Sequence, residues 1–143
     1  MDMLESSKLL KKTGEEITAN EGLASKKIIG YYFSAHWCPP CRMFTPLLLD
    51  FYNELVEDGA EFEIIFVSSD QSEDSMKEYI NESHGNWLAL PFNSEVGKEL
   101  KSKYSVQGIP TLVIVKNDGT LVSLNGREDV QKEGPPVFAK WNK

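Results

Sequence analysis

The sequence predicts an α/β fold with a mixed central β-sheet and helices on both of its faces. Two segments rich in β-forming residues, at 27–34 (KIIGYYFS) and 62–69 (FEIIFVSS), are each followed by a helical pattern of apolar residues. Residues 111–124 hold two short apolar runs around Lys-Asn-Asp-Gly, which predicts an antiparallel hairpin. The resulting order of elements is β-α-β-α-(α)-β-β-α, which favours a sheet covered by helices on both sides.

The first half of the chain supplies the signals for a hairpin and a long helix. The segment of residues 8–20 is short and polar, and Lys11 to Glu16 are predicted to form the turn of a small hairpin. Pro39 and Pro40 follow the first strand and predict the start of a helix, because proline is tolerated in a first helical turn. Apolar residues then recur at helical spacing until Asp58-Gly59, where the helix is expected to end.

Three further helices are predicted after the second strand. Ser72 is a suitable N-cap for the first of them, which carries an apolar face. A short helix is expected over residues 95–104. The tail over residues 127–141 is expected to be helical in part, because Gly-Pro-Pro at 134–136 interrupts it.

Length, composition and charge exclude several classes of protein. A chain of 143 residues with 41% hydrophobic and 26% charged residues suits one globular domain, taken as residues 1–143. The net charge of -7 argues against nucleic acid or an anionic membrane as the main partner, since those surfaces require clustered positive charge. No apolar run approaches about 18 residues, and the initial MDMLESSKLL lacks the apolar stretch of a signal peptide. We therefore expect a soluble protein of the cytoplasm.

Two cysteines, Cys38 and Cys41, lie where the first buried strand gives way to a helix. A disulfide across so short a loop stabilises a fold by only about 2 kcal/mol, so a structural bridge explains the pair poorly. A thiolate at a helix N-terminus faces unpaired backbone N–H groups and the positive end of the helix dipole, which favour its ionised form. We therefore expect Cys38 to act as the nucleophile and Cys41 to resolve the mixed disulfide.

The run FSAHWCPPCR at residues 33–42 resembles the active-site segment of the tryparedoxin and nucleoredoxin branch of the thioredoxin superfamily. WLALPF at 87–92 and IPTL at 109–112 also resemble that branch, and the likeness covers about residues 8–141. The resemblance implies a thioredoxin-like fold, the same roles for the two cysteines, and a cis bond before Pro110, which is rare enough to need such a reason. The substrate-binding residues that it implies are Trp37, Pro39, Pro40, Ile109, Pro110 and Arg127.

The chain departs from ordinary thioredoxins at one position. Those proteins carry a buried aspartate six residues before the first cysteine, whereas this chain has Tyr32. The acid is therefore not carried over, Tyr32 is expected to be plain core packing, and another group or a water must accept the Cys41 proton. His36 is expected to face solvent, and the resemblance implies that Arg127 lies in a loop that faces the active site. The alternative of a zinc site lacks a recognised ligand spacing and would use Cys38, Cys41, His36 and His84.

The predicted function is reduction of protein disulfides by a thiol–disulfide oxidoreductase. No metal, flavin or nucleotide motif is present, so no cofactor is expected. Its partners would be disulfide-containing proteins and an upstream reductase or low-molecular-weight thiol. The alternative is a redox-regulated binding protein that modulates a signalling partner, in the nucleus as well as the cytoplasm. An oxidase or isomerase of the secretory pathway is disfavoured by the N-terminal residues and by the ending KWNK, which is unlike KDEL.

Overall fold

The structure is a computed structural model that describes residues 8–143, which form a seven-stranded mixed sheet with helices on both faces. The strands are β1 (Lys8–Leu10), β2 (Glu16–Thr18), β3 (Ile28–Ser34), β4 (Phe62–Ser68), β5 (Leu88–Ala89), β6 (Thr111–Lys116) and β7 (Leu121–Ser123). The helices are α1 (Ala19–Leu23), α2 (Pro39–Glu57), α3 (Glu73–Ser83), α4 (Glu95–Lys103), α5 (Gly126–Glu133) and α6 (Val137–Trp141). The predicted α/β fold, with a mixed sheet and helices on both faces, is confirmed.

The strands pair in the order β2-β1-β5-β4-β3-β6-β7. β3 runs parallel to β4, with Ser34 opposite Ser68, and antiparallel to β6, with Phe33 opposite Thr111. The chain therefore leaves β3, leaves β4 and enters β6 at the same end of the sheet. The loop that precedes α2 and the loop that precedes β6 therefore meet at that end of the sheet.

Two hydrophobic clusters cover the two faces of the sheet. Because side chains alternate along a strand, Tyr32 of β3 packs on one face, whereas Tyr31 and Phe33 pack on the other. The Tyr32 face is covered by α2, α3, α5 and α6, and the opposite face is covered by α1 and α4. Ser34, at the end of β3, follows Tyr32 on the first face.

Most of the predicted elements are confirmed. The structure contains the two long strands, both hairpins, the start of α2 at Pro39 and the Ser72 cap of α3. It also contains α1 and β5, which were not predicted because five and two residues are too few to show a periodic pattern. The prediction of a loop at Arg127 is wrong, since Arg127 lies in the first turn of α5.

The prediction about the N-terminal segment falls largely on residues 1–7, which lie outside the described residues. Along the part of the chain that the structure describes, no helix has both the length and the apolar character to cross a bilayer. The sheet and the two hydrophobic clusters on its faces determine where the active-site residues described below lie.

Gly126 begins α5 where this helix passes close to β6. A Cβ atom placed on Gly126 would lie 2.7 Å from the Leu112 carbonyl oxygen and 2.9 Å from Leu112 Cγ. A strand backbone cannot move aside as a flexible side chain can. We therefore expect Gly126→Ala to lower the free energy of unfolding by about 1–3 kcal/mol, the usual cost of inserting a methyl group into a packed interface. Urea unfolding followed by circular dichroism would measure this loss.

Gly108→Ala is the matched control for that substitution. Apart from its two chain neighbours, no described residue has an atom within 4 Å of a Cβ placed on Gly108, and its φ is outside the left-handed region. The same chemical change there should alter the free energy of unfolding by less than about 1 kcal/mol. Equal losses in the two variants would contradict a close contact between α5 and β6.

Glu63 in β4 is a buried carboxylate, with only 7% of its surface exposed. Its Oε1 accepts hydrogen bonds from the Tyr52 hydroxyl and the Ile64 N–H, each at 3.0 Å. Burial raises the pKa of Glu63 above its usual value, and these hydrogen bonds and the charge of Lys26 offset that effect only in part. The folded protein therefore binds a proton on Glu63 more tightly than the unfolded chain does. The stabilising contribution of Glu63 is complete below the unfolded pKa and is lost as the pH rises through the raised folded pKa.

We therefore expect Glu63→Gln to remove part of the pH dependence of stability. The free energy of unfolding of the native protein minus that of the variant should fall as the pH rises above about 4.5, the ordinary pKa of the residue. Urea unfolding at several pH values would measure the difference, with the exposed Glu57→Gln as control. A difference that stays flat or increases over that pH range would show that burial does not raise the pKa of Glu63.

Candidate active site

Cys38 is the N-cap of α2 and follows the end of β3 by four residues. Pro39 and Pro40 occupy the next two positions, and because proline has no N–H group, Cys41 supplies the first backbone donor of the helix. This N–H donates to Cys38 Sγ at 3.3 Å. The two prolines thus leave the leading backbone donor of α2 directed at one sulfur atom, where it stabilises negative charge.

Cys41 lies one helical turn deeper than Cys38, and both are free thiols. Cys41 is completely buried, whereas Cys38 is 4% exposed. Burial, followed by the neighbouring Cys38 side chain, raises the pKa of Cys41 to about 11, and the Ser34 side chain and the Ala35 backbone oppose this rise only in part. Both cysteines are therefore buried, and they differ in their hydrogen-bond partners.

Ile109 and Pro110 approach the cysteines from the start of β6. The peptide bond between them is cis, as predicted. The Cys38 thiol lies 3.8 Å from the Ile109 carbonyl oxygen, a distance at which it can donate a long hydrogen bond, and the Ile109 side chain packs against the cluster formed by Ala35 and the two cysteines. The antiparallel register of β3 and β6 brings this segment beside Cys38.

The loop between β3 and Cys38 is held by the residues that follow β4. Asp70 Oδ1 accepts a hydrogen bond from the His36 N–H at 2.7 Å, while Asp70 Oδ2 accepts one from the Ser68 hydroxyl at 2.6 Å. Trp37 Nε1 donates to the Ser69 carbonyl oxygen at 3.0 Å, and 55% of the Trp37 surface remains exposed. Trp37 thus presents an exposed indole at the rim of the site from a fixed position.

His36 does not face solvent as predicted. Its ring stacks on Tyr79 with a centroid distance of 5.2 Å, and its Nε2 lies 3.1 Å from Glu82 Oε2. Only 25% of the side chain is exposed. Helix α3 therefore holds the active-site loop from one side, while Asp70 holds its backbone.

Four buried hydroxyl groups form a hydrogen-bonded cluster beneath Cys41. This hydroxyl cluster, as we call it below, consists of Tyr32, Ser34, Thr45 and Tyr79. Ser34 Oγ lies 2.6 Å from the Tyr79 hydroxyl, and Thr45 Oγ1 lies 2.7 Å from the hydroxyl of each tyrosine. Thr45 also donates to the Cys41 carbonyl oxygen at 2.8 Å. The prediction that Tyr32 only packs in the core is therefore wrong.

Sequence reasoning missed the other members of the hydroxyl cluster, and also Asp70. Thr45 stands four residues after Cys41 in α2, so helical spacing could have indicated a contact between them. Ser34 and Tyr79 are separated by 45 residues. No local pattern connects them, and their contact follows only from the packing of α3 on the sheet.

His84 is buried, and it belongs to no cluster of metal-binding side chains among the described residues. Its Nδ1 accepts a hydrogen bond from Trp87 Nε1 at 3.3 Å, and burial lowers the pKa of His84 to about 3. Within residues 8–143, no group of three or more histidine, cysteine, aspartate or glutamate side chains is placed to hold a metal ion. The zinc alternative therefore has no geometric support in this part of the chain.

Seven of the eight predicted site residues lie at one end of the sheet, and the eighth, Arg127, belongs to another element. The seven are Trp37, Cys38, Pro39, Pro40, Cys41, Ile109 and Pro110. Arg127 belongs to α5, and its Nε is buried with no hydrogen-bond partner among the described residues.

Comparisons with known proteins agree with this geometry. Residues 26–121 match the family described as thioredoxin-like. Nucleoredoxin of Bos taurus is 43% identical over 123 residues, which cover 85% of this chain and 27% of nucleoredoxin. The chain therefore spans about a quarter of the length of the curated relatives that it matches.

Two solved structures are similar over nearly their whole length. Thioredoxin related protein 16 of Carcinoscorpius rotundicauda is 58% identical, with a TM-score of 0.86 and 100% coverage of both chains. Tryparedoxin I from Leishmania major is 36% identical, with a TM-score of 0.82 and coverage of 94% of this chain and 90% of that chain.

The family match includes the elements that build the site. It covers β3, the start of α2 with both cysteines, and the cis bond before Pro110. The identities to nucleoredoxin and tryparedoxin extend this likeness over most of the chain. This chain belongs to the thioredoxin-like family, in the branch that contains the nucleoredoxins and tryparedoxins.

Proposed function

We propose that this chain, as one domain of residues 1–143, is a thiol–disulfide oxidoreductase that reduces protein disulfides through its WCPPC segment. The observation that carries the proposal is the hydrogen bond from the Cys41 N–H to Cys38 Sγ at the start of α2. A backbone donor in this position stabilises a thiolate at Cys38, and the thiolate is the form that attacks disulfides.

The reaction has two steps that use the cysteines in sequence. Cys38 thiolate attacks one sulfur of a substrate disulfide, forms a mixed disulfide and releases the first substrate thiolate. Cys41 then loses its proton to solvent and attacks Cys38 Sγ. The bond between Cys38 and the substrate breaks, and the second substrate sulfur leaves with its electron pair and takes up a proton. The cysteine pair itself is the redox centre, and no cofactor takes part.

The substrate segment would bind along the rim of the dithiol. Ile109 has its carbonyl near Cys38, and an extended substrate can pair with backbone in such a position. The exposed indole of Trp37 supplies apolar contact area. The full set proposed to contact substrate is Trp37, Pro39, Pro40, Ile109, Pro110 and Arg127.

A redox-regulated binding protein is the second candidate. The similar protein from Carcinoscorpius rotundicauda has a role in regulating the activity of the transcription factor NF-kB, which favours signalling proteins as partners of this chain. In that case the chain would act in the nucleus as well as the cytoplasm. Oxidation of the pair would then change affinity for the partner, and repeated turnover would not be required.

Insulin reduction coupled to NADPH oxidation separates the two candidates. The assay would supply thioredoxin reductase, glutathione with glutathione reductase, and trypanothione with trypanothione reductase in turn. Sustained NADPH consumption with one donor would support the reductase and identify its electron source. A stoichiometric burst without turnover in all three systems would favour the binding protein.

Cys38→Ser should abolish disulfide reduction, because it removes the nucleophile of the first step. Turnover of insulin in the coupled assay is the measurement, and circular dichroism would confirm that the variant is folded. A variant that kept a substantial fraction of the native rate would show that Cys38 is not the attacking thiol.

Cys41→Ser should trap substrates instead. The first attack still occurs, but the mixed disulfide at Cys38 persists because the resolving thiol is missing. Non-reducing electrophoresis and mass spectrometry would identify the trapped proteins, with the double variant Cys38→Ser/Cys41→Ser as the matched control. Equal capture by the double variant would contradict the assigned order of the two cysteines.

A further inference from the structure

The exposed face of α2 changes character along its length. Residues that lie three or four positions apart in a helix share one face. Starting at Pro39, the residue after Cys38, this spacing gives four apolar residues and then two acidic ones, and all six are exposed to solvent. We call this face the α2 stripe, and its members are Pro39, Met43, Pro46, Leu47, Asp50 and Glu54.

The apolar half of the α2 stripe leaves large side chains open to solvent beside the dithiol. Met43 follows Cys41 by two residues and is 76% exposed, and Leu47, one turn further on, is 50% exposed. Single exposed apolar residues are common on protein surfaces, whereas contiguous ones mark sites of contact with other molecules. Val56, near the end of α2, is exposed on another face of the helix and is a residue of the first kind.

The acidic half of the stripe borders a cavity between α2 and the end of α5. The cavity has a volume of about 170 Å³, and the buried side chains of Phe51 and Val130 line it together with the exposed Leu47, Asp50 and Glu54. A volume of this size suits one apolar side chain or ring. The residues that line it from α5 and from the turn after α5 are uncharged: Val130, Gln131, Gly134 and Pro135.

The two carboxylates of the stripe have no charged partner in the described part of the chain. Within residues 8–143, no ion pair or side-chain hydrogen bond joins Asp50 or Glu54 to another residue. Arg42, the basic residue of α2, lies about 12 Å from Asp50 along the axis, at about 1.5 Å per residue. The acidic half therefore presents negative charge that no residue of α2 neutralises, beside an apolar cavity.

We propose that the α2 stripe is a docking surface for a segment of the substrate protein that is apolar near the reactive disulfide and cationic beyond it. An apolar side chain of this segment fills the cavity, and a lysine or arginine pairs with Asp50 and Glu54. The inference rests on the proposed function, because the segment belongs to the protein whose disulfide Cys38 attacks.

The stripe also sets the spacing within such a segment. Asp50 lies 12 positions after Cys38 and Glu54 lies 16 positions after it, which corresponds to about 18 and 24 Å along a helix axis. An extended chain advances by about 3.3 Å per residue. The cationic residues of the partner should therefore lie about six to seven residues from its reactive cysteine, with the apolar residues between them.

Charge favours this occupant over two others. A second copy of this chain would bring the same carboxylates and a net charge of -7 to the interface, and an anionic membrane surface would also be repelled. A cationic segment is attracted by Asp50 and Glu54, and its apolar residues cover Met43 and Leu47 at the same time. The chemistry of the stripe thus selects a partner that is both basic and apolar.

The test uses two synthetic peptides that differ only in charge. Each has one cysteine, leucines three and five residues after it, and either two lysines or two glutamates six and seven residues after it, and each is made in both chain directions. The peptide cysteine carries 5-thio-2-nitrobenzoate as a mixed disulfide. Cys38 thiolate attacks the peptide sulfur, so that a Cys38–peptide disulfide forms and the coloured nitrobenzoate thiolate leaves with the electron pair.

We expect the lysine peptide to react about tenfold faster than the glutamate peptide at low ionic strength. This advantage should fall below about threefold in about 0.5 M salt, because salt screens exposed charges. DTNB, a small disulfide with no peptide segment, is the reference, and every peptide rate is expressed relative to the DTNB rate of the same protein. Circular dichroism would confirm that each variant below is folded.

Two double variants separate the stripe from the overall charge of the protein. Asp50→Asn/Glu54→Gln should reduce the advantage of the lysine peptide to about twofold. Asp74→Asn/Glu78→Gln is the matched control, because it removes the same two charges at the same spacing from exposed positions of α3. This control should keep at least about half of the native advantage.

Two single variants test the apolar half in the same way. Leu47→Gln should slow both peptides about fivefold relative to DTNB, since it removes an apolar contact that the two peptides share. Val56→Gln is its control, because Val56 is also an exposed apolar residue of α2 but lies outside the stripe. Its peptide rates relative to DTNB should stay within about twofold of native.

The outcomes separate this inference from the proposed function. Equal rates for the two peptides, or equal losses in the two double variants, would overturn the docking surface and leave the oxidoreductase proposal standing. A dimer of the native protein that Leu47→Gln dissociates would also overturn it, because a second copy would then cover the stripe. Absence of coloured release from DTNB by the native protein would contradict the proposed function. NMR of the Met43 methyl group, with the lysine peptide carrying serine for cysteine, needs no reaction: a saturable shift supports docking, and no shift overturns it.

Discussion

The pairing of β3 between a parallel β4 and an antiparallel β6 determines where every part of the site lies. All seven residues of β3 are buried, and the strand is hydrogen-bonded along its length on both sides. Because β4 ends and β6 begins where β3 ends, three loops meet at one end of the sheet. One carries the cysteines, one carries Asp70, and one carries the cis bond between Ile109 and Pro110. A one-residue shift in either register would separate them.

The alternation of side chains along the same strand also decides what lies beneath the cysteines. Tyr32 and Ser34 point to the face covered by α2 and α3, so their hydroxyl groups meet Thr45 and Tyr79 there. Tyr31 and Phe33 point to the other face and pack in the hydrophobic cluster of that side. The position of the hydroxyl cluster and the position of Cys38 are therefore both determined by one buried strand, β3.

The sequence was sufficient where a feature depends on neighbouring residues. Long apolar strands, the prolines that open α2 and the Ser72 cap are local signals, and each was predicted correctly. The same holds for the position of the two cysteines at a helix N-terminus. The hydroxyl cluster could not be predicted, because its contacts join residues 13, 34 and 45 positions apart. His36 was misjudged for the same reason, since Tyr79 and Glu82 are remote in sequence.

The two sulfurs belong to one short segment, yet the fold gives them opposite surroundings. Pro39 and Pro40 remove two backbone donors, so the first N–H of α2 comes from Cys41 and donates to Cys38 Sγ. The same geometry turns the Cys41 sulfur inward, where burial raises its pKa to about 11 and it remains a thiol near neutral pH. A pair with two equally ionised thiols would repel and would compete for the same substrate disulfide. Here the first backbone donor of the helix is directed at the Cys38 sulfur, whereas burial in the core opposes ionisation of the Cys41 sulfur. Under the proposed function, Cys38 attacks first and Cys41 acts once a mixed disulfide has formed on Cys38, and this order would follow from the helix backbone and the burial of Cys41 together.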